Sequence, residues 1–383
     1  MYADVIIDIS AKSLDRVFQY RVPEALEDIV SVGTAVQIPF GKGNSLRKGY
    51  IVSLGTEPKY EVSRIKEIVA IPKKDLTIED TMVGLAQWIR EQYGGTQYEA
   101  LRTVIPVHEK VQKKAKRILR RLTSAEEIYA VYMSAVNKKH KAKARLLEPF
   151  CTQDFIPYEL ATGKMNVTKA TIDYYIGQGM LAVVETRDEL YEGDGLTVTL
   201  NEEQDEAVRT VLEKRHLGKP FLLFGITGSG KTEVYLKIIE QIIAEGKQAI
   251  CLIPEIALTY QTVLRFYRCF GDRVGYVHSK MAAGDRYEQF ERARKGEISV
   301  MIGPRSALFT PFPNLGLIVI DEEQERTYHS ESAPKYYADE VAKKRAADCG
   351  AAVVLGSATP SVKSLPPSVK FRKPGPASST EVK

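Results

Sequence analysis

Cysteine is scarce, with four in 383 residues at Cys151, Cys251, Cys269 and Cys349, none of them paired at short spacing. That scatter excludes a disulfide scaffold and argues against a zinc site, so no zinc is expected here. Long apolar runs are also missing: none reaches the ~18 residues needed to cross a bilayer. The opening Met1-Tyr-Ala-Asp-Val-Ile-Ile-Asp8 carries acids where a signal peptide carries basic residues. The expectation is a cytoplasmic chain without membrane contact. A strong excess of one charge is absent as well, since 54 Lys and Arg against 49 Asp and Glu leave +5. That balance alone does not imply nucleic acid. A hydrophobic content of 44% allows sizeable cores, and the length suggests two to three domains.

The distribution of charge says more than its sum. Lys110 to Arg121 (KVQKKAKRILRR) holds seven basic residues and no acid, and Lys138 to Arg145 (KKHKAKAR) adds five. Such clusters can neutralise phosphates, although each could equally be a solvated helix face. Short strand-like pieces punctuated by glycine and proline fill residues 1–106: Val5–Ile9, Phe18–Val22, Ala35–Ile38 and Gly49–Val52. They predict a small β-rich domain, followed by a helix with Leu85, Ala86 and Ile89 on one face. Residues 107–144 read as a basic linker helix. Residues 145–195 read as three short helices and a strand, a winged-helix-like order that serves DNA binding or protein contacts. From 196 to 363 strands and helices alternate, with apolar strands at Phe221–Phe224, Ala249–Ile253, Ser299–Ile302, Leu317–Ile320 and Ala352–Leu355. Nearly continuous apolar strands imply a parallel sheet covered on both faces. Residues 364–383, rich in proline and serine, read as a disordered tail. The fold class is α/β and multidomain.

Gly225-Ile-Thr-Gly228-Ser-Gly230-Lys231-Thr232 matches the phosphate-cradling loop, between an apolar strand and a helix. Glycines let backbone N–H groups turn towards phosphates, Lys231 reaches their oxygens, and the Thr232 hydroxyl can ligate Mg²⁺. ATP and Mg²⁺ are therefore the expected ligands. Roughly 90 residues on, Leu317-Ile-Val-Ile320 delivers Asp321 and Glu322 to the end of a buried strand. Asp321 would serve the metal and Glu322 the attacking water, which makes Lys231, Asp321 and Glu322 the candidate catalytic set. Asn201 and Gln204 have capping-box spacing.

Pro254–Thr259, His278-Ser279, Gly303-Pro-Arg305-Ser306 and Gly356-Ser357-Ala-Thr359-Pro360 sit at strand ends in an order that resembles the superfamily 2 helicases. That resemblance implies one RecA-like lobe. It also implies DNA contact at Thr259, Arg305 and Ser306, coupling of ATP to DNA at Ser357 and Thr359, and nucleotide contact at Gln204. Within the superfamily, the combination with Asp321-Glu-Glu-Gln324 resembles the primosomal protein N′ family of replication-restart helicases. The front domain agrees: Val17-Phe18-Gln19-Tyr20, Pro39-Phe40-Gly41-Lys42 and Ile65-Lys66 resemble that family's pocket for the 3′-terminal nucleotide of a nascent strand. The implied pocket is Phe18, Gln19, Gly41 and Lys66, with Gln19 standing where an acid is common. Gln324 stands where the family carries histidine, at a coupling position.

The resemblance implies an ATP-dependent 3′-to-5′ DNA helicase of the primosome. It would recognise stalled forks with nascent 3′ ends and single strands, alongside single-stranded-DNA-binding protein and other primosome proteins. The family's cysteine-rich zinc region and second motor lobe have no counterpart after Ser364. The expectation is a truncated front half that binds ATP and DNA and hydrolyses slowly, for want of an opposing arginine. The pocket is expected to favour a 3′-hydroxyl over a 3′-phosphate, because Gln19 cannot neutralise added charge. Two alternatives stand beside this: a non-motor DNA- and nucleotide-binding module, and a P-loop NTPase acting on a substrate other than DNA.

Overall fold

The structure, a computed structural model, describes residues 1–9, 15–72, 80–105, 116–186, 199–364 and 381–382. The chain divides into two compact units: Met1–Val111 with Leu196–Glu255 and Arg273–Lys383, and Gln112–Gly195 with Ile256–Asp272.

The first unit opens with four antiparallel strands, β1 (Tyr2–Ile7), β2 (Phe18–Arg21), β3 (Ala35–Phe40) and β4 (Ser45–Gly55), in the order β2-β1-β4-β3. The period-2 alternation of β1 sends Ala3, Val5 and Ile7 into a core with Tyr20, Val36, Ile38 and Ile51. Ile6, on the opposite face, joins a second core. That core takes in Leu85, Ala86 and Ile89 of the helix Asp80–Tyr93, Leu101 and Val104 of the helix Gln97–Val104, and Leu308, Phe309, Val341 and Ala342 from far along the chain. The N-terminal sheet and its helices thus share this core with later parts of the same unit. Tyr93 adds a hydrogen bond to Glu340 at 2.5 Å, across 247 residues.

In the second unit, β5 (Lys116–Arg121), β6 (Phe155–Pro157) and β7 (Leu181–Thr186) form an antiparallel sheet in the order β6-β5-β7. The helices Lys141–Leu147, Tyr158–Thr162 and Lys169–Gly177 precede β7, as a winged-helix order requires. The expected linker helix over 107–144 is corrected: Lys116–Arg121 is a strand, because Leu119 is fully buried while Arg120 faces solvent. A helix, Ala125–Asn137, follows, capped by Ser124 and with Ile128 and Ala135 buried, so this stretch is part of the unit's core. The rest of that prediction, residues 107–115, lies outside the described residues. The unit also takes in the helix Tyr260–Phe270, through Tyr260 to Glu148, Arg268 to Thr152 Oγ1 at 2.6 Å, and Lys164 to the Leu258 carbonyl at 2.6 Å. The unit begins at Gln112 rather than at 145 because β5 pairs with β6 and β7.

The parallel sheet comprises β8 (Phe221–Phe224), β9 (Gln248–Leu252), β10 (Val274–Tyr276), β11 (Val300–Gly303), β12 (Leu315–Ile320) and β13 (Ala352–Ser357), with β14 (Glu381–Val382) antiparallel at its edge. Their order is β10-β11-β9-β12-β13-β8-β14. The five expected strands are present; β10 was missed because three residues around Gly275 show no period. Of the expected disordered tail, residues 365–380 and 383 lie outside the described residues, while Glu381 and Val382 pair with Phe224 and Leu223.

One glycine in the N-terminal sheet is obligatory. A Cβ on Gly49 would stand 2.5 Å from Val5 Cγ1 and 3.0 Å from the Ile6 carbonyl, at the β1–β4 contact. Gly49→Ala is expected to cost about 1–3 kcal/mol by overpacking. Chemical denaturation checks this; an unchanged midpoint would show that β1 and β4 can part without loss.

Candidate nucleotide and DNA-end sites

The loop after β8 turns on Gly228 and Gly230, both at φ 82°, a left-handed backbone that glycine adopts without steric cost. A Cβ on Gly230 would meet Gln204 Nε2 at 2.2 Å, so the loop also closes against Gln204. That side chain donates to the Ser229 carbonyl at 3.0 Å while its Oε1 accepts from Asn201 N–H at 2.9 Å. Gln204 thus completes a capping box and braces the phosphate loop at once. Lys231 opens the helix Lys231–Ala244, almost fully buried. Its Nζ donates to the Gly225 carbonyl at 2.9 Å and lies 3.7 Å from Glu322. Thr232 follows in the helix's first turn.

β12 delivers Asp321 beside this loop. Burial pushes the Asp321 carboxyl up to about 6, with the neighbouring Glu322 charge adding to the shift. Tyr235, one helical turn beyond Lys231 and completely buried, donates to Asp321 Oδ1 at 3.1 Å. Tyr328 donates to the Asp321 carbonyl at 2.7 Å. The Tyr235 hydroxyl occupies the space where a Cβ on Gly356 would fall, at 1.5 Å, so only glycine fits at that point of β13. Glu322 itself sits at φ 49°, an unfavourable region for a residue with a side chain.

The acid block is tied twice to the end of β13. Gln324 donates to Glu322 Oε2 at 2.7 Å and accepts from the Ser357 hydroxyl, which also accepts from Thr359 N–H at 3.0 Å. Glu323 accepts from Ser361 N–H at 2.6 Å and from its hydroxyl at 3.0 Å. Ser357 in turn offers its carbonyl to Gly225 N–H at 3.1 Å, which returns the circuit to the phosphate loop. Sequence reasoning missed Tyr235, Tyr328, Glu323 and Ser361. Only the i+4 spacing of Tyr235 from Lys231 could have flagged one of them.

A desolvated carboxyl near a buried lysine suits a divalent cation with phosphates, since a nearby cation offsets the burial of the carboxylate. Thr232 and Asp321 could hold Mg²⁺, with Lys231 for phosphate oxygens.

A second cavity, of about 330 Å³, lies in the N-terminal sheet. Its lining includes Phe18, Gln19, Gly41 and Lys66, the four residues expected of the pocket. Phe18 meets Phe40 edge-on at 5.2 Å, and Lys66 donates to the Gly41 carbonyl at 2.7 Å. Gln19 Oε1 accepts from Lys59 N–H at 2.6 Å and its Nε2 donates to the Glu57 carbonyl at 3.3 Å, which leaves one lone pair and one N–H of the amide uncommitted. Arg16, Tyr60 and Arg64 complete the wall and were not foreseen. Of the other expected DNA contacts, Arg305 and Ser306 lie in the first unit after β11, where Arg305 grips the carbonyls of Thr327 and His329. Thr259 lies in the second unit, and its hydroxyl caps the helix Tyr260–Phe270 by accepting from Thr262 N–H at 3.2 Å.

The Asp321 shift has a consequence for stability. The folded state holds a proton on Asp321 between the ordinary value of 3.8 and about 6, where the unfolded chain has lost it. Stability from this group is therefore lost as pH rises through that window. Asp321→Asn, which can still accept from Tyr235, is expected to stabilise the Mg²⁺-free chain by roughly 1–3 kcal/mol at neutral pH. The gain should shrink towards pH 4. Thermal unfolding across pH checks it; a gain independent of pH would remove desolvation as its cause.

Residues 4–106 match the family model described as the 3′ DNA-binding domain of PriA, and residues 201–365 match the DEAD/DEAH box helicase model. The chain is similar to replication restart protein PriA of Bacillus subtilis (strain 168), at 30% identity over 95% of this chain and 54% of that protein. It is similar to the Chlamydia trachomatis protein of the same name at 33%, over 95% of this chain and 49% of that one. Among solved structures, the UvsW helicase from bacteriophage T4 covers 51% of this chain and 62% of that chain at 16% identity and TM-score 0.31, too slight a likeness to weigh. The chain spans about half the length of the curated relatives it matches. With the phosphate loop and acid block inside one match, the Phe18 cavity inside the other, and relatives aligned along nearly all of it, the chain belongs to the PriA replication-restart family and corresponds to its amino-terminal portion.

Proposed function

We propose that this chain is the fork-recognising, ATP-binding part of a replication-restart DNA helicase that moves 3′ to 5′. The observation that carries the reading is the closed circuit from Lys231 and Glu322 through Gln324 and Ser357 back to Gly225. A nucleotide-responsive loop is thereby tied to a strand end, in the same compact unit as the Phe18 cavity. Lys231 exchanges its carbonyl contacts for phosphate oxygens. Glu322 orients and deprotonates the attacking water, and Gln324 reports its position to Ser357 and Thr359. Bound Mg²⁺, held by Thr232 and Asp321, supplies charge neutralisation at the phosphates. On the DNA side, Phe18, Gly41 and Lys66 take a strand terminus; Arg305 and Ser306 in the first unit contact DNA, and so, separately, does Thr259 in the second. Single-stranded-DNA-binding protein and other primosome proteins in the bacterial cytoplasm are the partners this role requires. The basic strand β5 and the DNA-end cavity weigh against an NTPase acting on a substrate other than DNA.

A slow motor, closer to a binding module, is favoured by one feature: among the described residues, every group placed at the phosphate loop belongs to one compact unit. An arginine reaching such a loop from outside is worth ~10³–10⁵ in rate. ATP is expected to bind, and Lys231→Ala to weaken it by ~10-fold or more as a charge-assisted contact is lost. Equal affinities by calorimetry would remove ATP from the loop. DNA is expected to bind with strong salt dependence and to stimulate hydrolysis little, and forked duplexes are expected not to be unwound. ATP-dependent unwinding that disappears in Glu322→Gln would overturn the slow-motor reading while leaving the helicase assignment standing.

A further inference from the structure

Among the described residues, Tyr235 is the bulkiest of the fully buried side chains, yet it carries a hydroxyl. Phenylalanine would fill a core position as well without a polar atom to satisfy, and a buried hydroxyl left unpaired costs free energy. Here the partner is Asp321 Oδ1, and the other group bonded to that carboxyl is the Glu322 backbone. Tyr328 holds the Asp321 main-chain carbonyl rather than its carboxyl. A carboxyl turns about its last torsion with little preference, so a fixed donor on one oxygen decides the way it faces. Gly356 holds that donor in place. A Cβ there would stand 1.5 Å from the Tyr235 oxygen and 2.7 Å from its Cζ, so bare backbone of β13 closes on the ring's tip. The Gly356 carbonyl in turn accepts from Glu323 N–H at 2.9 Å, which keeps the strand end beside the acid block.

Tyr235 stands on the helix Lys231–Ala244, whose first turn carries Lys231 and Thr232. One helix therefore bears the groups expected at phosphate and metal together with the donor that aims the carboxyl delivered by β12. We propose that Tyr235 is a positioning residue of the nucleotide site, its hydroxyl setting the Asp321 carboxylate for Mg²⁺ and Gly356 keeping that hydroxyl in place. The inference rests on the reading that ATP and Mg²⁺ bind at this loop. Being fully buried, Tyr235 acts through Asp321 and not by touching nucleotide. A tyrosine that only filled space would support nucleotide binding equally with and without the metal. A positioning residue supports the part of the affinity that the metal brings.

The test titrates the full chain and its Tyr235→Phe variant with a fluorescent, hydrolysis-resistant ATP analogue, once in Mg²⁺ and once in EDTA. Phenylalanine keeps the ring and its packing and removes only the donor. The readout is the ratio of the two affinities, which is expected to exceed one in the unmodified chain. Tyr235→Phe should cut that ratio by ~5–10-fold, the loss of one hydrogen bond to a charged group, while the metal-free affinity stays within ~2-fold. Gly356→Ala, whose methyl group displaces the hydroxyl with Tyr235 still present, should cut the ratio in the same direction. In an Asp321→Asn background Tyr235→Phe should leave the ratio unchanged, as expected of a residue acting through that carboxyl. A Tyr235→Phe ratio within ~2-fold of the parent's, or a loss of equal size with and without Mg²⁺, overturns the proposal. An unmodified chain that binds no nucleotide, or binds it equally in Mg²⁺ and EDTA, overturns the site reading and the proposal with it.

Discussion

Between the helix Lys231–Ala244 and the ends of β12 and β13, a fully buried tyrosine hydroxyl donates to a desolvated carboxyl. Much of the nucleotide site depends on that contact. Tyr235 must reach past β13 to touch Asp321, so position 356 can carry no side chain. Asp321 must stand at the strand's end with its amide on the Leu252 carbonyl, so the next residue, Glu322, turns through a left-handed backbone to keep its carboxylate near Lys231. A carboxyl held out of water is uncomfortable when ionised, and the same discomfort makes it receptive to a cation. Stability and ligand affinity oppose one another at this atom.

Gln324 joins the acid block to the end of β13. A carboxamide donates and accepts at once, and here it does both, to Glu322 and from Ser357. A neutral imidazole can do the same through its two nitrogens. The second tie, from Glu323 to Ser361, uses both carboxylate oxygens against one residue's amide and hydroxyl. The acid block is thus fixed at two points, Ser357 and Ser361, at the end of β13 and just beyond it.

The N-terminal sheet shares its second core with the lobe that carries the phosphate loop. Ile6 and Tyr50 pack in the same cluster as Leu308 and Val341, and Tyr93 binds Glu340. Packing of this density transmits displacement poorly by stretching and well by moving elements together. The Phe18 cavity lies on the sheet's other core, through β2, and so is built on a platform attached to the lobe.

Local chemistry carries its own signature, and that is what the sequence by itself determined. Glycines at the turn before Lys231, four apolar residues before Asp321, and strands with period-2 alternation each follow from backbone sterics or burial acting within a few residues. They located the phosphate loop, the acid block, the strand-rich front and all but one of the parallel strands. What needed the tertiary structure involves partners far apart in the chain. Lys116–Arg121 is a strand because β6 and β7 come to pair with it. The helix Tyr260–Phe270 belongs with residues 112–195 because Glu148 and Thr152 meet it. Gln19 meets the backbone of Glu57 and Lys59, and the Tyr235 hydroxyl meets Asp321, contacts that no local pattern announces. A side chain's type limits what it can bind; only the folded chain decides which partner reaches it first.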